Sequence, residues 1–219
     1  MPVEFLGIAA TNDGSEITAR SGVSFDKDYT LRLARAHEEN GWDRVLFAYG
    51  SGAPDPNAAA AYIASQTRTL QLLLAHRPNV SYPTFAAKTF ATIDQAHDIV
   101  RTIEDRVAAN SGALSRRRPL KDPENTGSQR LLAIAAEGER FDRALWTRTA
   151  AVTGGAGNSN ALVGTPEVVA QAILDYVDLG VDIISMRGYN LLADAVDIGR
   201  HVIPIVRDEV AKRDRAVAS

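Results

Sequence analysis

Two stretches far apart in the chain follow one plan, and that plan constrains the fold more than any other feature. EENGWDRVLFAYG (38–50) and VDLGVDIISMRGY (177–189) both run from a helix end through glycine, a large apolar residue and aspartate into an apolar strand, with a small or aromatic stop. A glycine directly after a helical run supplies the left-handed turn that ends many helices. The strands Arg44 to Tyr49 and Ile183 to Arg187 are almost continuously apolar rather than alternating. Antiparallel strands with one wet face alternate, so continuous runs after helices indicate parallel strands with both faces covered. The class is therefore α/β.

The same reading extends along the chain. Val3 to Ala10 is a first strand, closed by Thr11, Asn12, Asp13 and Gly14. Helical spacing covers 28–40, with Gly41 behind it, and 57–66, which is rich in alanine. Thr69 to Ala75 is a third strand, ended by His76, Arg77 and Pro78. After Pro83, TFAAKTFATIDQ predicts a helix, and Gln95 runs into Ala96 with no turn signal, so helical character continues to about Asn110. Residues 111–128, with two prolines and Arg116, Arg117 and Arg118, predict an exposed loop. Gln129 to Ala151 predicts a helix that packs Trp146, and 153–160 is a glycine-rich loop. Thr165 and Pro166 form an N-cap and first-turn pair, Gly180 closes the helix they open, and a last helix over 192–213 should kink at Pro204. All of this fits one domain over 1–219, divided at the join into 1–95 and 96–219.

Composition removes several kinds of chemistry. The absence of cysteine excludes disulfides, thiolate zinc, iron–sulfur clusters and a cysteine nucleophile. With 24 basic and 27 acidic side chains the net charge is −3, which argues against nucleic acid and anionic membrane as partners. The first residues match neither a signal peptide nor a membrane span, so the expected location is cytoplasmic. His37, His97 and His201 are too scattered to form a metal site.

No G-x-G-x-x-G follows the first strand, which favours a TIM barrel or part of one over a dinucleotide-binding sheet. In a barrel the chemistry lies at the C-terminal ends of the strands. That rule selects Tyr49 after the second strand, His76 and Arg77 after the third, and Arg187 and Tyr189 at the last. Histidine titrates near neutrality, arginine holds oxyanions in a fork, and Gly188 is expected to expose the Tyr189 phenol. Each has a plain structural reading too: His76 as a packed histidine, Arg187 as an ion-pair partner. The GGAG run at 154–157 reads as a lid or linker before a phosphate cradle, because no Walker lysine accompanies it.

HRPNVSYPTFAAKTFATIDQ (76–95), GSQRLLAIAAEGERFDRALWT (127–147) and the block from GGAGNSNALVGTPE to RGY (154–189) resemble the bacterial-luciferase-like, flavin-dependent monooxygenases, closest to their alkanesulfonate branch. The resemblance implies a TIM barrel that binds reduced FMN and uses dioxygen to oxygenate a small substrate such as an alkanesulfonate. It also implies a separate NAD(P)H-dependent flavin reductase. It casts Tyr189 as an active-site residue and 153–160 as a mobile lid, while the strand-end rule adds His76 as catalytic and Arg77, Tyr49 and Arg187 as cofactor-binding. The sequence departs from the family after Gln95, where strands four to seven are skipped. Thr153 stands at the lid arginine position, and Ala53 lies near the place of a cysteine found in some sulfonate monooxygenases. Strands one, two, three and eight are consecutive around a barrel in the order 8-1-2-3, so a contiguous half-barrel is expected. Its open sheet would be covered by a homo-oligomer, rearranged after a deletion, or completed by a missing middle segment. The alternative to an enzyme is a non-catalytic half-barrel module for binding or assembly.

Overall fold

The protein's structure is a computed structural model that describes residues 3–15, 17–48, 53–75, 85–89, 93–114, 126–152 and 161–217. In chain order its elements are β1 (Glu4–Ile8), α1 (Lys27–Glu39), β2 (Arg44–Phe47), α2 (Pro56–Ala64), β3 (Gln71–Leu74), β4 (Phe85–Thr89), α3 (Ile93–Leu114), α4 (Thr126–Glu137), β5 (Arg140–Phe141), β6 (Leu145–Trp146), α5 (Arg148–Val152), β7 (Ala161–Gly164), α6 (Pro166–Asp178), β8 (Ile183–Arg187), α7 (Leu191–His201) and α8 (Ile203–Val217). The strands form one sheet in the order β3-β2-β1-β8-β4-β7-β6-β5. The arc β3-β2-β1-β8 is parallel throughout, as the half-barrel reading requires.

The helices begin where side chains can satisfy their free amides. Asp26 accepts from Tyr29 N at 2.9 Å, and Asp55 accepts from Asn57 N and Ala58 N at 2.8 and 3.0 Å, with Pro56 following in the first turn. Thr165 and Pro166 open α6 in the same manner. The repeated plan is also real: Gly41 and Gly180 both sit at positive φ, +79° and +92°, just past α1 and α6. Asp43 then ties three elements together. Its Oδ2 accepts from Phe5 N at 2.7 Å, and Arg207 on α8 donates to both of its oxygens at 2.8 Å.

Alternation divides the sheet into two faces. Phe5, Ile184, Met186 and Leu162 join Val169, Ile173, Ile203 and Val206 of α6 and α8 in one core cluster. Val45 and Phe47 pack against α1 and α2 through Ala34, Ala59 and Ile63. This is the outer, helix-covered face of a barrel. Gly7 lies on it because the His37 ring fills the space: a Cβ there would sit 2.3 Å from Cδ2 and Nε2.

Three expectations are corrected. Residues 85–89 form strand β4, not part of a helix, and β4 pairs with β8 and β7. Propensity in Phe-Ala-Ala-Lys-Thr is weak, and the free edge of β8 decides the matter. Residues 129–151 are not one helix. Gly138 ends α4, Asp142 takes φ +47°, and the β5–β6 hairpin intervenes before α5. The expected loop over 111–128 is helical at both ends, since α3 reaches Leu114 and α4 starts at Thr126; 115–125 lie outside the described residues. The last helix does break near Pro204, with Val202 separating α7 from α8. Among the described residues no helix is long and apolar enough to cross a membrane.

His37 carries a pH prediction. It is buried edge-on to Trp42, and its Nδ1–H donates to the Leu33 carbonyl at 2.8 Å. Burial pushes its pKa down from 6.5 to about 4. The unfolded chain therefore binds a proton near pH 6.5 that the folded chain refuses until about pH 4. Stability should be steady above that window and fall as the pH drops through it, by about 3 kcal/mol at its lower end. Urea denaturation across this range should show a flatter dependence for His37→Gln. Parallel slopes in the two proteins would exclude His37 as the cause.

Candidate functional site

The C-terminal ends of β1, β2, β3 and β8 share one side of the molecule because the four strands are parallel. Arg187 ends β8 on the inner face, since its register partner in β4 is Ala86 and it lies two residues beyond Ser185, the partner of Leu6. The inner face has a polar strip near its base. Glu4 pairs with Arg44, while Ser185 Oγ and Arg44 Nε are buried with no hydrogen-bond partner among the described residues.

Above the strand ends lies an open cleft of about 670 Å³, lined by Asn12, Ser15, Thr18, Arg20, Arg106 and Arg187 among others. The loop after β1 supplies four of these six, and cross-bracing holds it in shape. Thr11 Oγ1 and Asn12 Nδ2 donate to the Ser24 carbonyl at 2.8 and 3.3 Å, and Asp26 N donates to the Thr11 carbonyl at 2.8 Å. Ser15 Oγ accepts from Ile17 N and Thr18 N at 3.3 and 3.1 Å. Asp13 accepts from the Ser21 hydroxyl and from Ser21 N, which together hold its carboxyl below the usual range. Arg106 on α3 reaches across to donate to the Ser15 carbonyl at 3.0 Å.

Tyr189 differs from its expected setting. Gly188 does not expose the phenol. It makes room for Asp194, and Tyr189 itself is only 3 % exposed. Asn190 caps α7 by accepting from Ala193 N at 3.2 Å, while Asp194 Oδ2 accepts from Asn190 N at 2.8 Å. The turn that carries Arg187 and Tyr189 is thus fixed from below by α7. Tyr49, His76 and Arg77 lie outside the described residues, as do the loop 153–160 and the arginine run 116–118.

Arg106 was missed in the sequence, and the run in which it stands, EDRVAAN, carries no motif that marks it. Only the path of α3 over the strand ends brings it to Arg187. Among the described residues no group of three metal-ligating side chains occurs. A second cavity, about 560 Å³ and bordered by Leu145, Leu162, Tyr176 and Leu179, lies beside the turn into β8, away from the strand C-termini.

A solved structure, EDTA monooxygenase from Chelativorans sp. BNC1, aligns with 83% of this chain and 42% of its own length at 17% identity and a TM-score of 0.36. The chain therefore spans under half of that protein. The model of the luciferase-like monooxygenase family matches residues 3–98, from β1 to the second turn of α3, and so covers the parallel strands β1, β2 and β3 together with β4.

Proposed function

We propose that the chain belongs to, or derives from, a reduced-FMN-dependent two-component monooxygenase that oxygenates a small organic substrate, with alkanesulfonates as the class suggested by the resemblance. The observation that carries this reading is the family match over residues 3–98, which spans three strands of the β3-β2-β1-β8 arc. The described residues fit the anionic end of the cofactor: Arg187 faces an open cleft whose Ser15 and Thr18 add polar groups. In this reading Arg187, with Arg77 and Tyr49, holds the FMN phosphate. Tyr189 Oη and the His76 imidazole hold and deliver protons beside the substrate. Burial of Tyr189 keeps water from its hydroxyl. Reduced flavin would supply the two electrons that let dioxygen give one atom to substrate and one to water. An NAD(P)H-dependent reductase would provide it.

A second reading, a non-catalytic assembly module, is favoured by the outer edge of β3. Gln71, Leu72, Leu73 and Leu74 carry no charge, and Leu74 is 39% exposed, so the strand lacks the residues that usually guard an edge. One experiment separates the readings. Reduced FMN under anaerobic conditions should raise the melting temperature, since a ligand at 100 times its Kd adds about 2.7 kcal/mol. Oxygen uptake should then depend on added sulfonate. A melt unmoved by reduced FMN, in a protein that elutes as an oligomer, would replace the enzyme with the module.

A further inference from the structure

On the outer, helix-covered side of the sheet, α6 packs with α8 in one core cluster. Another flank of α6 borders an open groove of about 560 Å³, whose described lining includes Leu145, Leu162, Ala172, Tyr176 and Leu179. Leu179 ends the helix 81% exposed, whereas Leu162 and Ala172 are buried. A large apolar side chain held in water beside an apolar hollow marks a surface that closes against another body. The spacing along α6 says which body fits. Ala172, Asp175, Tyr176 and Leu179 stand at i, i+3, i+4 and i+7 and form one stripe. A second α6 laid antiparallel across a two-fold axis between Asp175 and Tyr176 sets position 172 opposite 179 and 175 opposite 176. The large Leu179 of each copy then meets the small Ala172 of the other, and each Tyr176 meets a carboxylate that can accept from its phenol. Asp175 is paired with Arg143 at 3.0 Å, so the two carboxylates nearest the axis do not confront each other as bare like charges. A two-fold contact needs a patch that complements itself, and this stripe does so in size and in charge.

We propose that two copies of this chain associate through this flank of α6, antiparallel about a two-fold axis, with Leu179 of each copy seated in the groove of the other. The contact needs neither reading given above: it lies away from the strand C-termini and from the outer edge of β3, and no flavin takes part in it.

The test is sedimentation equilibrium of the flavin-free protein, which gives the mass in solution and the dissociation constant. The unaltered chain should be a dimer at micromolar concentration. Leu179→Glu should raise the dissociation constant about 100-fold or more, because a carboxylate would have to lose its water in the middle of an apolar contact. Leu179 is exposed in the single chain, so the variant should keep the far-ultraviolet circular dichroism of the parent and lose association without losing the fold. Leu74→Glu, on the edge of β3, should leave the dimer intact. A monomeric parent protein would overturn the proposal, as would an undiminished dimer in Leu179→Glu. A dimer dissolved by Leu74→Glu would overturn it too, by moving the contact to β3. None of these results bears on reduced FMN, whose melt is scored separately.

Discussion

Gly188→Ala should destabilise the protein by about 3 kcal/mol or more, the range for overpacking combined with loss of a buried hydrogen bond. A Cβ at this position would lie 1.9 Å from Asp194 Oδ2, 2.3 Å from its Cγ and 2.5 Å from its Cβ. Asp194 cannot retreat easily. It is 1% exposed, and its Oδ2 accepts the amide of Asn190, the residue that caps α7. Moving the carboxylate would break that bond and shift the turn holding Arg187 and Tyr189. Moving the backbone instead would pull the end of β8 away from β4. Gly22→Ala is the control, because a Cβ there meets only Asp26 Oδ2 at a comfortable 3.9 Å and should change stability by no more than about 0.5 kcal/mol. Urea denaturation of the three proteins measures both. Equal midpoints for Gly188→Ala and Gly22→Ala would show that Asp194 does not occupy the space beneath the turn.

The parts of the fold legible in the sequence were those written locally. The strands ending at Ile8, Phe47, Leu74 and Arg187 are short apolar runs behind turn or glycine signals. Helices α1, α2, α6 and α7 open on Asp26, Asp55, Thr165 and Asn190, each of which caps through its own side chain. The order β3-β2-β1-β8 followed from barrel topology once those strands were known. What escaped was decided by distant partners. β4 and β7 are strands because they complete a sheet edge, and the tetrapeptide Ala-Leu-Val-Gly at 161–164 is too short to declare itself. The β5–β6 hairpin turns on Asp142 in a left-handed conformation, which aspartate tolerates but does not announce.

The candidate site was legible to the same degree. Arg187 could be placed because strand-end position is a local property of β8. The burial of Tyr189 could not, nor could the filling of the space under Gly188, where Asp194 turns back from the next helix. Nor could the role of Arg106, because helical spacing says which residues share a face but not what that face crosses. Polar residues such as Asn12, Ser15 and Asp13 looked like ordinary turn formers, and they are, while also shaping one wall of the cleft.

Val100→Asp should cost about 3–5 kcal/mol, because α3 covers the inner side of β6 and β7 and Val100 lies at the centre of that contact. An open parallel sheet leaves an inner face that must be covered. Here Val100, fully buried, packs with Trp146, Ala161 and Val163 on the side opposite α6 and α8. Polar bonds hold the helix there: Arg148 reaches Glu104 at 3.1 Å and Glu139 at 3.5 Å, and His97 lies 3.5 Å from Glu139. Gln95 and Ala96 both fall in the first turn of α3, which explains why no turn signal stands between them: the chain passes from one to the other inside a continuous helix. A carboxylate at position 100 would have to desolvate against the indole or lift the helix off the sheet. The two tryptophans report which occurs, since Trp42 lies in the outer core with its Nε1 donating to the Ala195 carbonyl at 2.9 Å, whereas Trp146 faces α3. In a Trp42→Phe background, Val100→Asp should shift Trp146 emission to the red as well as lower the urea midpoint. Arg101→Ala, one residue on and solvent-exposed, should do neither. Unchanged emission together with an unchanged midpoint would mean that α3 does not cover the inner face, and the cleft that depends on Arg106 would fall with it.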